Sequence, residues 1–157
     1  MVNSVGKKYS EAKRAYLAGF FDADGAIMAC IEKHAEKKFR FRVRLFIKIT
    51  QKNRKLLDEF QKELSWGSVR KNRRVYDYDI RDQQDILSFV NLIFDYSRLK
   101  KPQLKYALKI LKAKIKSKED LMRVASLADA LSSYNVRSKA RRKNYTLKIK
   151  EYFSSND

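Results

Sequence analysis

The stretch from Phe39 to Thr50, FRFRVRLFIKIT, alternates between apolar and polar residues over almost its whole length. Because successive side chains of a β-strand point to opposite faces of a sheet, this alternation predicts a strand about 40 Å long with one apolar and one basic face. The apolar positions are Phe39, Phe41, Val43, Leu45, Ile47 and Ile49, and the polar positions are Arg40, Arg42, Arg44, Lys48 and Thr50, with Phe46 breaking the polar face. The fold must therefore cover one face of a sheet and leave the other face basic.

The rest of the chain shares this excess of positive charge. Its 157 residues include 37 Lys and Arg against 18 Asp and Glu, which gives a formal net charge of +19. With 44% hydrophobic residues and only four Gly and one Pro, this is the composition of a folded protein rather than of a basic disordered tail. Such a surface attracts polyanions, and duplex nucleic acid is the strongest candidate because phosphate contacts release condensed counterions. The alternative is a basic protein without a polyanionic partner.

Length and rare residues limit the class of protein further. A chain of this size buries roughly 70% of the surface of its unfolded form, so we expect a single domain over residues 1–157. Cys30 and His34 are the only residues of their types, which argues against a disulfide and against a zinc site. No apolar run approaches the ~20 residues of a bilayer span, and no signal or transit pattern is present. We expect a protein that acts where it is made, without a membrane partner.

Hydrophobic periodicity predicts the element order α-β-β-α-β-β-α followed by C-terminal helices, an α+β fold with helices on one sheet face. The first helix begins at a Ser10 cap and ends at Gly25 in a left-handed cap, and strands at 26–33 and 39–50 form the first hairpin. A helix at 53–64 precedes a second hairpin, SVRKN and VYDYDIR. In this hairpin the core positions are Tyr76, Tyr78 and Ile80, and the outward positions are Asp77, Asp79 and Arg81 beside Arg70 and Asn72.

The C-terminal part reads as helices from about residue 83, including KPQLKYALKILKAKIK at 101–116, EDLMRVASLADALSS and YTLKIKEYF. These helices would cover the apolar sheet face and leave the basic face open. An open basic ribbon fits the major groove of B-DNA, whereas basic residues on an edge strand also discourage aggregation.

The first helix carries two acids, Asp22 and Asp24, beside a stripe of small residues. Two positions along a helix differ by about 200° of rotation, so both carboxylates cannot bind one ion while the helix continues. Asp24 stands where the last helical carbonyls are unsatisfied, and a carboxylate with a carbonyl oxygen suits Mg²⁺. The small residues permit a second helix to approach closely, or else ordinary packing on the sheet. The stripe consists of Ala15, Gly19 and Ala23.

The segment LAGFFDADG, Leu17 to Gly25, resembles the LAGLIDADG motif of homing endonucleases. Three further segments are similar to single-motif members of that family in order and spacing, namely ITQK at 49–52, GSVR through DY at 67–78, and RLKKPQ at 98–103. The resemblance implies the LAGLIDADG homing endonuclease fold, with a twisted antiparallel sheet that forms a DNA-binding saddle. It also implies a homodimer in which the motif helices pack along the twofold axis through Ala15, Gly19 and Ala23.

The resemblance further implies a site-specific double-strand DNA endonuclease of intron homing that hydrolyses a long, partly palindromic target. Divalent ions, Mg²⁺ with Mn²⁺ or Ca²⁺ as substitutes in binding, would be held by Asp24 and the Ala23 carbonyl and shared across the dimer. Gln51 matches a water-positioning glutamine and Lys100 a basic residue near the site, so the implied catalytic residues are Asp24, Gln51 and Lys100. Asp22 becomes a structural acid at the helix end.

The same resemblance implies the DNA-facing positions. They are Met28, Cys30, Glu32, Arg42, Arg44, Lys48, Thr50, Arg70, Asn72, Asp77 and Asp79. Arginine pairs with guanine and asparagine with adenine, whereas Met28 and Cys30 could touch thymine methyl groups but would not specify a base strongly. The basic run RSKARRKN suits phosphate contacts through Lys139, Arg141, Arg142 and Lys143.

Two other functions are compatible with these residues. The chain is alternatively an RNA maturase that assists splicing of its host intron, with intron RNA as its partner, or a DNA-binding module without activity. We expect it in a chloroplast or mitochondrion, or in an archaeal or bacterial cytoplasm.

Overall fold

The computed structural model describes residues 9–136 and 138–157. In chain order the elements are α1 Glu11–Asp24, β1 Gly25–Lys33, β2 Phe41–Gln51, α2 Arg54–Leu64, β3 Ser68–Asn72, β4 Val75–Ile80, α3 Gln83–Ile93, α4 Lys101–Lys112, α5 Lys118–Asn135, a 3₁₀ helix Lys139–Arg141 and α6 Tyr145–Asn156. The four strands form one sheet in the order β1-β2-β4-β3. The predicted α+β class and element order are confirmed.

Strand β4 pairs antiparallel with both β2 and β3, and the register sets which polar residues meet. Thr50 lies opposite Asp77 and Lys48 opposite Asp79 across the β2–β4 pair. On the other side of β4, Arg70 lies opposite Asp77. Because cross-strand neighbours share one face of a sheet, the acids of β4 are flanked by cations and a hydroxyl on both sides.

The described chain divides into two compact units, which split the long strands β1 and β2. The first unit contains the described residues up to Ile27 together with Phe46–Leu104, and the second contains Met28–Leu45 and Lys105–Asp157. The single domain over residues 1–157 stays a prediction. In the part of the chain that the structure describes, no helix has the length and apolarity of a bilayer span.

Each unit has its own apolar interior. In the first unit, Phe21 of α1 is fully buried and its ring meets Phe89 of α3 edge to face at 5.6 Å. In the second unit, the Phe41 ring meets Tyr152 of α6 at 5.1 Å, also edge to face. Aromatic pairs in this arrangement stabilise a core beyond the area that they bury. These contacts hold the helices that position the polar residues described below.

Three predicted details were wrong. Strand β2 begins at Phe41 rather than Phe39, because Arg40 adopts a left-handed backbone with φ 64° and closes the loop. Gly25 is extended at φ −90°, not left-handed, and glycine is needed there because a Cβ atom would collide with the Phe21 ring. Helix α4 ends at Lys112 instead of 116: the Ala113 N–H donates to the Ile110 carbonyl at 3.2 Å in a tighter turn, and the Lys116 N–H donates to Asp120 of α5 at 3.0 Å.

Candidate functional site

The exposed carboxylate of Asp24 lies at the C-terminal end of α1, beside the end of β2. Its Oδ2 accepts a hydrogen bond from Gln51 Nε2 at 2.9 Å. The other end of the Gln51 amide is held too, because Oε1 accepts the Lys52 N–H at 3.0 Å. Strand β2 and helix α1 therefore bring two of the implied catalytic residues together across 27 residues of chain.

Lys100 reaches the same end of α1 from the loop before α4. Its Nζ donates to the carbonyl of Phe21 at 3.2 Å and to the carbonyl of Gly25, and it lies 5.5 Å from the centre of the Phe21 ring. Burial lowers the pKa of the Lys100 ammonium, and the negative charges of Asp22 and Asp24 oppose that shift only in part. Cations at a helix C-terminus are favoured by the free carbonyls and the helix dipole. All three implied catalytic residues thus meet at one helix end.

Asp22 is turned away from Asp24 and towards residues 97–100. Its carboxylate accepts the Ser97 hydroxyl and the backbone N–H groups of Arg98 at 2.8 Å, Leu99 at 3.1 Å and Lys100 at 3.1 Å. Burial raises the pKa of Asp22, but these four hydrogen bonds outweigh it and hold the pKa below its usual range. A carboxylate with this many donors has no site left for an ion, which agrees with a structural role.

The oxygen donors at the end of α1 suit a hard divalent ion. In residues 9–136 and 138–157, no group of three or more His, Cys, Asp and Glu is arranged to hold a metal. Asp24 and Ala23 are nevertheless both exposed at the last helical turn, where carbonyls lack helical partners. Mg²⁺ needs only one or two protein carboxylates when waters and substrate phosphates complete its octahedron. The residues present therefore fit Mg²⁺ with few protein ligands.

The small-residue stripe of α1 faces solvent in this chain. Ala15, Gly19 and Ala23 are all exposed, and a Cβ atom added at Gly19 would meet nothing within 4 Å. Tyr16, 55% exposed, continues this surface and stacks edge to face on Phe60 of α2 at 6.0 Å. Packing of the stripe against the sheet, the alternative left by the sequence, is thus excluded for the described chain.

On the first unit's share of the polar sheet face, two buried acids hold the neighbouring polar side chains. Asp77 accepts hydrogen bonds from Thr50 Oγ1 at 2.6 Å and Asn72 Nδ2 at 2.8 Å, and it lies 3.3 Å from Lys48 Nζ. Burial raises the pKa of Asp77, but the hydrogen bonds from Thr50, Asn72 and Lys48 lower it by more. The result is an ionised carboxylate beneath a layer of donors.

Asp79, two residues further along β4 on the same face, has a similar arrangement. Arg70 Nη2 donates to Asp79 Oδ2 at 2.6 Å, and the Lys48 ammonium lies 4.0 Å from Oδ1. The two acids are only 4% and 6% exposed. The sequence placed Asp77 and Asp79 as outward residues, and the structure corrects that: they lie on the polar face but are covered by the longer side chains that they bind.

On the second unit's share of the polar face, the acid is exposed instead. Glu32 of β1 accepts hydrogen bonds from both Nε and Nη2 of Arg42 on β2, at 2.9 Å for Nε. This guanidinium lowers the pKa of Glu32. Cys30 and Met28 are half-buried on the same strand, and Arg44 is half-buried on β2.

Sequence patterns did not identify Tyr145, the first residue of α6. Its hydroxyl donates to the Ala29 carbonyl at 3.3 Å, and burial together with the neighbouring Cys30 thiol raises its pKa to about 12. Its N–H donates to the Asp129 carboxylate at 2.6 Å, which fixes the start of α6. No local pattern identifies such a residue, because its partners lie about 116 and 16 positions away in the chain.

The C-terminal basic run forms the 3₁₀ helix and the turn after it. Lys139, Arg141 and Lys143 are exposed, whereas Arg142 is half-buried with its Nε donating to the Val136 carbonyl at 2.8 Å. The Lys143 N–H donates to Ser132 Oγ at 2.9 Å, so its backbone is fixed against α5 while its ammonium stays accessible.

Comparison with known proteins decides the family. Residues 17–112 match the model of the LAGLIDADG endonuclease family. This chain belongs to that family. The chain is 31% identical over 133 residues to DNA endonuclease I-CreI of Chlamydomonas reinhardtii, covering 82% of each chain. It is 32% identical over 126 residues to DNA endonuclease I-CvuI of Chlorella vulgaris, covering 77% of this chain and 78% of the relative.

Solved structures agree with the family. The homing endonuclease I-CvuI bound to the I-CreI target superposes with a TM-score of 0.81 at 29% identity, over 92% of this chain and 94% of that one. The archaeal intron-encoded homing endonuclease I-Vdi141I, solved with DNA, reaches a TM-score of 0.77 at 21% identity over 92% and 98% of the two chains, which supports the fold. The recognised type, a single-motif LAGLIDADG homing endonuclease, is confirmed, and the chain is a site-specific DNA endonuclease.

Proposed function

We propose that this endonuclease hydrolyses both strands of a long, partly palindromic duplex, using Mg²⁺ held by Asp24 and the Ala23 carbonyl of two identical subunits. The observation that carries the proposal is the meeting of Asp24, Gln51 and Lys100 at the end of a helix whose small-residue face is exposed. The relative I-CvuI was crystallised with the I-CreI target and Mg²⁺, with the DNA uncleaved, and with its own target and Ca²⁺. These two structures of one relative support the use of a divalent ion.

When bound, a divalent ion supplies Lewis-acid chemistry and lowers the pKa of water. The protein's own part begins with Asp24, whose exposed carboxylate is oriented by the Gln51 amide. That amide retains a second N–H on Nε2 and a second lone pair on Oε1, so it can also hold a water molecule. The Gln51 side chain can therefore orient the Asp24 carboxylate and position the attacking water at the same time.

Lys100 supplies a fixed positive charge beside the reacting phosphate. An ammonium has three N–H donors, and two of them go to the carbonyls of Phe21 and Gly25. The third can donate to a phosphate oxygen, where charge develops during hydrolysis. Because the ammonium is half-buried, its charge is screened less than that of a surface lysine.

The exposed face of α1 supports the proposed twofold arrangement. A helix face of small residues lets a second copy of the same helix approach closely, and an isologous contact of this kind is the commonest way to form a dimer. Two copies of Asp24 at the ends of two adjoining helices would lie near each other. A symmetric protein in turn reads a partly palindromic site.

Base recognition would use the polar sheet face of each unit. Arg70 and Asn72 in the first unit, and Arg42 and Arg44 in the second, are the side chains suited to bidentate pairing with guanine or adenine. Lys48, Thr50, Glu32, Met28 and Cys30 lie on the same strands and would make the remaining contacts. Asp77 and Asp79 act by orienting the cations above them, and Lys139, Arg141, Arg142 and Lys143 contact phosphates.

The test is a cleavage screen of a randomised duplex library, first with Mg²⁺ and then with Ca²⁺. Asp24→Asn is expected to abolish cutting while DNA affinity stays within about tenfold, since a metal-site residue contributes far more to the reaction than to binding. Asp58→Asn, an exposed helical carboxylate paired with Arg54, is the matched control and should cut normally. Retained cleavage by Asp24→Asn would contradict the metal role.

The dimer is tested separately. Gly19→Leu adds a side chain where the described chain has open space, so the fold should persist while the helix pair is forced apart. We expect a monomer in sedimentation and loss of cutting. Glu151→Leu, which adds apolar surface on the exposed face of α6, should stay dimeric. A dimeric, active Gly19→Leu protein would show that α1 is not the interface.

A further inference from the structure

Helices α1 and α4 are joined by two contacts that run in opposite directions. Asp22, near the end of α1, accepts the Ser97 hydroxyl and three consecutive N–H groups that lead into α4. Lys100, the residue before α4, donates from its ammonium to the Phe21 and Gly25 carbonyls at the end of α1. We propose that Asp22 is a positioning residue for DNA cleavage: its carboxylate fixes the loop of residues 97–100 and so places the Lys100 ammonium beside Asp24.

The Asp22 carboxylate is fully engaged in this task. Oδ1 accepts the Ser97 hydroxyl and the Lys100 N–H, and Oδ2 accepts the N–H groups of Arg98 and Leu99. An ionised carboxylate offers about four acceptor positions, and all of them point at this loop. An asparagine at this position retains one acceptor oxygen and presents an amide nitrogen to two of the donors. Only an ionised carboxylate accepts from all four donors at once.

The backbone of Lys100 decides where its ammonium goes. A lysine side chain is long and flexible, so its head has a definite position only when its backbone and its hydrogen-bond acceptors are both fixed. The Lys100 N–H is fixed by Asp22 at 3.1 Å, and its carbonyl accepts the Leu104 N–H at 3.1 Å to begin α4. The ammonium then contacts the peptide carbonyls on either side of Asp22, Ala23 and Asp24.

The competing explanation is that Asp22 merely caps a helix. The chain contains a matched example of that simpler role, because Asp82 caps α3 by accepting the N–H groups of Gln84 at 2.9 Å and Asp85 at 3.0 Å. Asp82 has no described hydrogen bond to the loop of residues 97–100. Its alanine variant therefore measures the loss of a helix cap alone.

The experiment is a double-mutant cycle in single-turnover cleavage, with the duplex that the wild-type protein cuts already bound. This inference rests on the role of Lys100 in the proposed function. Asp22→Asn should slow cleavage by about 10- to 100-fold, as a misplaced catalytic group does, with DNA affinity within about threefold. Lys100→Met should slow it at least as much, and the double variant should be no slower than Lys100→Met. Asp82→Ala should lower the urea midpoint and leave the cleavage rate unchanged.

Two results would overturn the proposal in different ways. If the two rate losses multiply in the double variant, Asp22 acts independently of Lys100 and is not its positioning residue. If Lys100→Met cuts at the wild-type rate, the proposed role of Lys100 is itself wrong, and the positioning role goes with it. The first result leaves the function of the site intact, so the two failures are told apart.

A second readout needs no activity and serves if Asp22→Asn does not fold. Ser97→Ala removes one of the four donors and leaves the three backbone hydrogen bonds in place. Reductive methylation of lysines, read by mass spectrometry, should modify Lys100 faster in Ser97→Ala than in the wild type, with exposed Lys105 as the internal reference. Equal methylation of Lys100 in both proteins would show that the loop does not control its ammonium.

Discussion

The polar sheet face is built differently in the two units of the chain. In the first unit, Asp77 and Asp79 are 4% and 6% exposed and hold Lys48, Arg70 and neighbouring polar groups above them. In the second unit, the Glu32 side chain is 46% exposed and binds Arg42 at the surface. Cations in the first unit are therefore pre-oriented by buried charge, whereas Arg42 is held by a contact that water and salt weaken. The difference predicts two kinds of base recognition on one sheet.

The largest expected effect tests the buried acids. Asp77→Ala leaves Thr50, Asn72 and Lys48 without their shared acceptor, so we expect a loss of about 2–3 kcal/mol in the free energy of unfolding. Urea denaturation measures it. Asp58→Ala, an exposed acid, should change this free energy by less than about 0.5 kcal/mol. Equal losses in the two variants would mean that the buried acid of the first unit contributes no more to the free energy of unfolding than an exposed acid does.

Arg70 and Arg42 should differ in how strongly they set the base preference. Arg70→Ala should relax the preference for a guanine at one position by about 5- to 100-fold, the value of one bidentate pair. Arg42→Ala should relax its own position less, because the acid that orients Arg42 is exposed to water and salt, whereas the acid that orients Arg70 is buried. Cleavage profiles on single-base variants of the target measure both. Equal relaxation would remove the functional distinction between the two units.

Asp77 should contribute its own part to the pH dependence of stability. Its pKa in the folded state is below the ordinary value of 3.8, so the folded protein binds fewer protons and the carboxylate stabilises it at pH values above 3.8. This contribution should be constant from about pH 8 to 5 and be lost as the pH falls below 3.8. Urea midpoints of the wild type and Asp77→Asn, measured from pH 6 to 2.5, should converge in acid. Parallel curves down to the lowest pH would contradict it.

The smallest effect is expected at the exposed acid. Glu32→Gln keeps the size of the side chain and removes its charge, and we expect no measurable change in the urea midpoint, because exposed ion pairs contribute little. In DNA recognition, replacing Arg42 by alanine should then change the base preference less than it does in the wild-type background. The same cleavage profiles measure this difference. A clear loss of stability would show that the Glu32–Arg42 pair acts like the buried acids after all.

Most of the fold was accessible from the sequence because its signals are local. Alternation from Phe41 to Thr50 identified β2, and Ser10 correctly marked the start of α1, where its side chain accepts the Lys13 N–H at 3.2 Å. The errors lie where distant groups act. Gly25 is required by the Phe21 ring rather than by a left-handed cap, and Arg40 leaves the strand to close a loop.

The candidate site was accessible in part. The motif placed Asp24 at a helix end, and two separate segments, 49–52 and 98–103, identified Gln51 and Lys100 as its companions, which the structure places at that end. The link between Asp22 and Lys100 was not accessible, because a carboxylate reveals its partners only when residues 75 or more positions away are folded beside it.

The sequence by itself determined the family, the order of the elements, and the residues that carry charge, since periodicity and motif are properties of neighbouring positions. Only the tertiary structure decided how those charges are used. It buried Asp77 and Asp79 under cations, left Glu32 at the surface, and turned Asp22 to the loop of residues 97–100 while Asp24 faces solvent. The physical reason is that the state of a carboxylate depends on the donors and the solvent around it, which are set by strand register and helix packing rather than by adjacent residues.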